Sequence, residues 1–207
     1  MSVRVKICGI TSAEGMDAAV AAGADWVGLN FFAASPRLVT PAQAATLASR
    51  PGVPVLVGLF VAPDDAEIEA VLAEVSLDVL QIYADAERAA AIRARFGRPV
   101  WRAVGVSARD DLPRDAQGVD GFIIEAKAPP GATRPGGNAA AFDWSILRGW
   151  QAPAPWALAG GLTPGNVAAA VRITGAAAVD VSSGVEREKG VKDPALIAAF
   201  VQAARAA

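Results

Sequence analysis

Val3–Thr11 reads VRVKICGIT, a run of β-favouring residues broken by a glycine and followed by a helix-capping hydroxyl, and it is the first of eight comparable stretches. The others lie at 25–31, 54–61, 78–83, 99–105, 120–125, 156–160 and 177–182, and the first strand is read over 3–8. Each is short and almost continuously apolar, rich in Val, Ile, Leu or aromatic residues. That is the composition of strands buried on both faces of a parallel sheet, where a half-exposed strand would alternate.

Alanine-rich segments fill the intervals, and local chemistry marks where they begin and end as helices. Thr11 with Glu14, Thr40 with Gln43 and Asp64 with Glu67 have the spacing of a capping box, in which side chain and backbone amide satisfy each other reciprocally. Thr40-Pro41, Thr163-Pro164 and Asp193-Pro194 put proline at the first helical position, where its missing N–H costs nothing. Gly23, Gly97 and Gly175 stand where C-caps are needed, just before the next strand. The fifth helix, around 108–117, is weak enough to be a turn or two. Strand and helix alternating eight times predict an α/β fold, a (β/α)8 TIM barrel spanning 1–207 as a single domain. An open doubly wound sheet is the competitor and would normally use fewer strands. The Pro/Gly-rich run at 129–137 reads as one long loop after the sixth strand.

Composition narrows the chemistry. The chain has 207 residues, 53% hydrophobic and 19% charged, with a net charge of -2, which suits a large core and offers no electrostatic footprint for nucleic acid or an anionic membrane. No uninterrupted apolar segment approaches the roughly 18 residues of a membrane span, and Arg4 and Lys6 fall where the apolar core of a signal peptide would begin. One cysteine and no histidine rule out an internal disulfide, fit a reducing cytoplasm, and leave only an all-oxygen site for a metal. No catalytic metal is expected. Cys8 is also the one side chain with an ordinary pKa near neutrality.

In such a barrel the chemistry sits at the C-terminal ends of the strands. That rule selects Cys8 after the first strand, Gln81 near the end of the fourth, Glu125 after the sixth, Gly160-Gly161 after the seventh, and Asp180 with Ser182-Ser183-Gly184 after the eighth. The last two groups supply bare amides and hydroxyls where many barrels hold a substrate phosphate. Gly-Gly alone would equally serve a tight turn. Lys6, two residues before Cys8, projects to the same face one layer deeper, and because the eighth strand closes on the first, Asp180 is its predicted partner inside the barrel. An ammonium there should favour the Cys8 thiolate. Glu125, in an apolar setting, would serve as a general acid, or else pair with Lys127. Arg37 would clamp a substrate carboxylate, or else be a solvated loop residue. Trp26, Trp101 and Trp156 read as core, and Trp144 and Trp150 as helix packing.

KICGIT at 6–11, SPR at 35–37, VGLFV at 57–61, PGG at 135–137, FDW at 142–144, AGGL at 159–162 and DVSSGVE at 180–186 together resemble the phosphoribosylanthranilate isomerase family over essentially the whole chain. The resemblance implies a cofactor-free Amadori rearrangement of a phosphorylated aminoaldose to an aminoketose in tryptophan biosynthesis. It implies that Glu125 protonates the furanose oxygen and opens the ring to a Schiff base, and that Cys8 removes the C2' proton. It also implies a small-molecule phosphorylated substrate; from charge and cysteine usage neither nucleic acid nor membrane is expected as a partner and the setting is cytoplasmic, and the chain is expected as a monomer or homodimer. Three positions depart from the family pattern: Glu125 stands for an aspartate, Gln81-Ile82-Tyr83-Ala84 for Gln-Leu-His-Gly, and Gly136-Gly137-Asn138-Ala139 has fewer glycines than many members. The alternatives are another phosphosugar isomerase or epimerase, and a barrel that binds a phosphate ligand with impaired catalysis.

Overall fold

The computed structural model describes residues 2–129, 131 and 142–207. Most of the loop read at 129–137, with PGG at 135–137 and Gly136 to Ala139, lies outside the described residues. Eight parallel strands, β1 (Arg4–Cys8), β2 (Trp26–Asn30), β3 (Val55–Val61), β4 (Val79–Tyr83), β5 (Val100–Val106), β6 (Gly121–Ala126), β7 (Trp156–Leu158) and β8 (Ala178–Val181), pair in sequential order and close on themselves. The seam joins β1 to β8 with Lys6 opposite Asp180 and Ile7 opposite Val181. The sequence pattern is thus a closed (β/α)8 barrel and not an open sheet.

The helices are α1 (Ala13–Ala22), α2 (Pro41–Ala48), α3 (Asp65–Glu74), α4 (Ala86–Phe96), α5 (Val167–Thr174) and α6 (Pro194–Arg205). Thr40 with Gln43 and Asp64 with Glu67 form the expected capping boxes. Gly23, Gly97 and Gly175 end their helices in the left-handed conformation. Two starts differ from expectation. Ser12, not Thr11, caps α1 by accepting from the Gly15 amide at 3.1 Å, while the Thr11 hydroxyl donates to the Gly190 carbonyl. The helix begins one residue late because that tertiary contact engages the first hydroxyl. Pro164 does not open α5, which starts at Val167. Asn166 accepts from the Thr163 amide at 2.8 Å and donates to the Gly161 carbonyl at 2.9 Å, so a side-chain-tied turn precedes the helix. Between β5 and β6 there is only a 3₁₀ turn at Arg109–Asp111, and a second 3₁₀ turn, Trp144–Leu147, lies before β7. A small antiparallel hairpin, β9 (Glu186–Glu188) and β10 (Val191–Lys192), follows β8.

The N-terminal rim of the barrel carries a repeated device. Asp25, Asp78 and Asp120 stand immediately before β2, β4 and β6, and each accepts the first free amide of the preceding strand: Val5 at 2.8 Å, Leu56 at 2.8 Å and Val100 at 2.9 Å. They satisfy backbone donors where the parallel ladder runs out. The main core lies between barrel and helices. A second cluster fills the barrel itself, with Trp26, Val57, Val79, Ala103, Ile123, Ala157, Ala159 and Ala178. Trp26 is buried as expected, whereas Trp101 and Trp156 are partly exposed. Among the described residues no helix is long and apolar enough to cross a membrane, and no cluster of Cys, Asp and Glu side chains is placed to hold a metal ion.

Candidate active site

At the C-terminal ends of the strands one cleft gathers Cys8 from β1, Asn30 from β2, Tyr83 from β4, Glu125 from β6, Gly160 and Gly161 after β7, and Asp180, Ser182 and Ser183 at the end of β8. Eight of the residues singled out in the sequence line this single mouth: Cys8, Arg37, Glu125, Gly160, Gly161, Asp180, Ser182 and Ser183. Two do not. Gln81 is fully buried one step below, with its amide nitrogen 3.4 Å from the Tyr83 hydroxyl. Gly184 packs against the Leu162 carbonyl so closely that any side chain would collide with it. That contact ties the loop after β8 to the loop after β7, so the two backbone segments read as a phosphate cradle lie side by side.

Beneath the mouth, Lys6 is completely buried and its ammonium donates to Asp180 Oδ1 at 2.9 Å, the pairing anticipated from the closing seam. Burial works against the charged form of Lys6, but the Asp180 carboxylate and Cys8 more than offset it, and the pKa stands above the ordinary lysine value. For Cys8 the balance runs the other way. Burial pushes its thiol up, outweighing the pull of Lys6 and Lys192, with Asp180 adding to the rise. The expectation that the neighbouring ammonium wins, and lowers the thiol, is corrected here: the sulfur is too deeply desolvated, and the Lys6 charge is already neutralised by Asp180. Gly28 faces Cys8 across the β1–β2 ladder, and a Cβ there would lie 2.8 Å from the sulfur and 3.1 Å from the Lys6 nitrogen. Only glycine leaves room for both groups.

Arg37 is not a solvated loop residue. It is 5% exposed, lies over Gly9, and makes a bidentate pair with Glu186, Nε to Oε1 at 2.6 Å and Nη2 to Oε2 at 2.9 Å. Gly9 adopts a left-handed φ of 76°, and any side chain on it would strike the arginine stem. Glu186 also accepts from Lys192 Nζ at 2.8 Å. Burial alone would raise the Glu186 carboxyl; the Arg37 guanidinium and Lys192 ammonium overcome that and hold it at about 2. Lys192, 2% exposed, additionally donates to the Ser182 carbonyl at 2.9 Å and hydroxyl at 3.3 Å. Glu186 and Lys192 were not singled out from sequence. They lie in the charged run Glu186-Arg-Glu-Lys-Gly-Val-Lys192, where the available signals were Glu186 at the end of the DVSSGVE stretch and the lysine placed next to the Asp193-Pro194 helix start.

Glu125 is 5% exposed and lines the mouth together with Tyr83. Lys127, the alternative partner, is directed outward to Asp111 at 3.9 Å. Tyr83 is held well above its ordinary pKa, by burial first and by the Glu125 charge second. The mouth therefore brings a thiol and a carboxyl from different sides of a barrel onto one space, with exposed amides and hydroxyls beside them. Those are the parts for moving protons at neighbouring carbons of an anionic substrate.

Comparison with known proteins agrees with this arrangement. The family model described as N-(5'phosphoribosyl)anthranilate (PRA) isomerase matches residues 5–203. A relative named N-(5'-phosphoribosyl)anthranilate isomerase from Acidiphilium cryptum is 61% identical over 204 residues, with 99% of each chain covered. One of the same name from Granulibacter bethesdensis is 54% identical, again with 99% of each chain covered. Among solved structures, phosphoribosyl anthranilate isomerase from Thermotoga maritima superposes with a TM-score of 0.86 at 34% identity, covering 99% of this chain and 100% of that one. A second crystal structure of the enzyme, in complex with reduced 1-(o-carboxyphenylamino)-1-deoxyribulose 5-phosphate, gives 0.83 at 33% identity with the same coverage. With the fold, the mouth residues and these full-length matches in agreement, the chain belongs to the N-(5'-phosphoribosyl)anthranilate isomerase family.

Proposed function

We propose that Cys8 and Glu125 carry the family's reaction in this chain, the Amadori rearrangement of N-(5'-phosphoribosyl)anthranilate to 1-(2-carboxyphenylamino)-1-deoxyribulose 5-phosphate. The observation that carries this reading is their placement at the ends of β1 and β6 on one mouth, beside the paired loops after β7 and β8. Glu125 gives its proton to the furanose oxygen as the C1'–O bond breaks, leaving a Schiff base. Cys8 then takes the C2' proton, and the resulting enolamine tautomerises to the ketone. Every step is a proton transfer, so electrons stay within the substrate and the scheme needs no cofactor.

The phosphate is assigned to the amides and hydroxyls of Gly160, Gly161, Ser182 and Ser183, with Lys192 behind Ser182. Arg37 spends Nε and Nη2 on Glu186, and the scheme assigns Nη1 to the anthranilate carboxylate. The ligand in the related crystal complex, by its name, has a phosphate at one end and an aromatic carboxylate at the other, which supports anchoring from both sides. Gln81 is assigned a supporting place beneath the mouth, and Asp180 holds Lys6. Because the free thiol is pushed up by burial, the base must be generated as substrate arrives, with Lys6 and Lys192 as the stabilising cations. The setting proposed is cytoplasmic, and the assembly a monomer or homodimer.

Turnover of phosphoribosylanthranilate, with growth of a tryptophan auxotroph as the companion assay, tests the reading. Cys8→Ala and Glu125→Ala should each lower kcat by about 100-fold or more while leaving substrate affinity within a few-fold, as expected for groups acting in the transition state. Turnover like the wild type in either variant overturns the assignment of that residue.

A further inference from the structure

A carboxylate offers about four acceptor directions, and Glu186 has as many donors. Oε1 accepts from Arg37 Nε at 2.6 Å and from Lys192 Nζ at 2.8 Å, and Oε2 accepts from Arg37 Nη2 at 2.9 Å and from the Gly190 amide at 3.1 Å. All three side chains are almost wholly enclosed. Arg37 comes from the Ser35-Pro36-Arg37 turn after β2, and Lys192 and Gly190 come from the β9–β10 hairpin. The hairpin is pressed against that turn and against the loop after β1. A Cβ on Gly190 would lie 2.7 Å from the Pro36 carbonyl oxygen, and the Gly190 carbonyl accepts from the Thr11 hydroxyl at 3.1 Å. The arginine stem, in turn, crosses Gly9 too closely for any side chain there.

A carboxylate with its acceptors saturated has no direction left for a substrate group, so Glu186 acts through the groups it holds. We propose that Glu186 is a positioning residue that sets specificity for the substrate's aromatic carboxylate, by clamping Arg37 side-on so that the remaining edge of the guanidinium is presented in one orientation. The inference rests on the reading of Arg37 as the carboxylate anchor. A guanidinium carries its N–H donors in a rigid fork. With Nε and Nη2 on Glu186, the Nη1 end is the one left to a ligand in the cleft that Arg37 lines. An arginine without the clamp would lose its side-chain freedom only when substrate bound, and affinity for the carboxylate would fall by that cost. Lys192 fixes the clamp in its turn. It ties Glu186 Oε1 to the Ser182 carbonyl and hydroxyl, at 2.9 Å and 3.3 Å from Nζ. The carboxylate anchor and the phosphate cradle therefore belong to one hydrogen-bonded network, which sets the spacing between the two ends of the substrate and so the place of the sugar between Cys8 and Glu125.

The test compares two non-reacting ligands by titration calorimetry on the full-length protein: the reduced form of the aminoketose phosphate product, and its counterpart made from aniline, which lacks only the carboxylate. The wild type should prefer the first by about 100-fold, the worth of charge-assisted hydrogen bonds to one carboxylate. Arg37→Met should abolish the preference. Glu186→Gln turns an amide N–H₂ towards donors, so the clamp opens; the preference should fall by about 10-fold while the aniline ligand binds within about 3-fold of its wild-type affinity. Glu186→Asp keeps the charge on an arm one methylene shorter, which separates position from charge and gives a second reading should the glutamine variant fail to fold. It should lower the preference by about 3-fold or more. Equal weakening of both ligands in Glu186→Gln makes Glu186 merely structural and overturns the inference, and a wild-type preference in Glu186→Asp does the same. If Arg37→Met keeps the preference, the reading of Arg37 falls and the inference with it; if Arg37→Met loses the preference while Glu186→Gln keeps it, only the inference falls.

Discussion

Lys6 is an ammonium with no exposed surface, and the Asp180 carboxylate at 2.9 Å is its ion-pair partner. Removing one member of a buried pair leaves an uncompensated charge, whereas replacing both with apolar residues of similar size is often neutral. Asp180→Leu should therefore lose about 3–5 kcal/mol of unfolding free energy in urea titrations, and Lys6→Met in the same chain should recover most of it. A double variant no more stable than Asp180→Leu would show that the pair is not what holds this layer. The pair was legible in the sequence, because residues i and i+2 share a face of a strand and the eighth strand must close on the first. Its effect on Cys8 was not. The sign of that shift depends on how far burial outweighs a nearby cation whose charge is already matched, and burial is a property of the closed barrel.

At the level of elements, the β9–β10 hairpin brings Glu186 and Lys192 back over the barrel mouth, where they meet Arg37 and Ser182. Glu186 titrates at about 2 in the folded protein, against an ordinary value of 4.5. A folded-state pKa below the unfolded one contributes stability that is complete above pH 4.5 and drains away as pH falls through about 2. Glu186→Gln should accordingly be less stable than the wild type at pH 7, and should show a flatter decline in urea midpoint between about pH 4.5 and 2. Parallel declines in the two proteins would place the acid sensitivity elsewhere. The strands were readable because a sheet covered on both faces needs unbroken apolar runs. The hairpin was not, since Glu186 and Lys192 are charged and their side chains become buried only through long-range pairing. Asp25, Asp78 and Asp120 left a signal that periodicity does not capture: an aspartate directly before the second, fourth and sixth strands, each serving the strand before it.

Across the whole molecule, the barrel separates stability from chemistry. The proposed catalytic and phosphate-binding groups lie at one end, and the strand-start aspartates at the other. Closure depends on contacts between the two ends of the chain, with α6 packing against α1 and β1. Ile197, Phe200, Val201 and Ala204 are the buried face of α6, and Phe200 is fully enclosed. Truncating such a side chain costs about 3–5 kcal/mol, through lost transfer energy and the cavity left behind. In a chain of this size each kcal/mol moves the melting temperature by about 2–4 °C. Phe200→Ala should thus melt about 6–20 °C below the wild type, yet at 25 °C, while still folded, it should turn over substrate with kcat within about 2-fold, because α6 lies outside the barrel and contributes no residue to the mouth. Thermal unfolding and steady-state kinetics on one preparation check both halves. A variant that melts normally would mean that α6 does not clamp the seam, and one that melts early with kcat also reduced more than 10-fold would mean that closure at α6 and the geometry of the mouth are coupled.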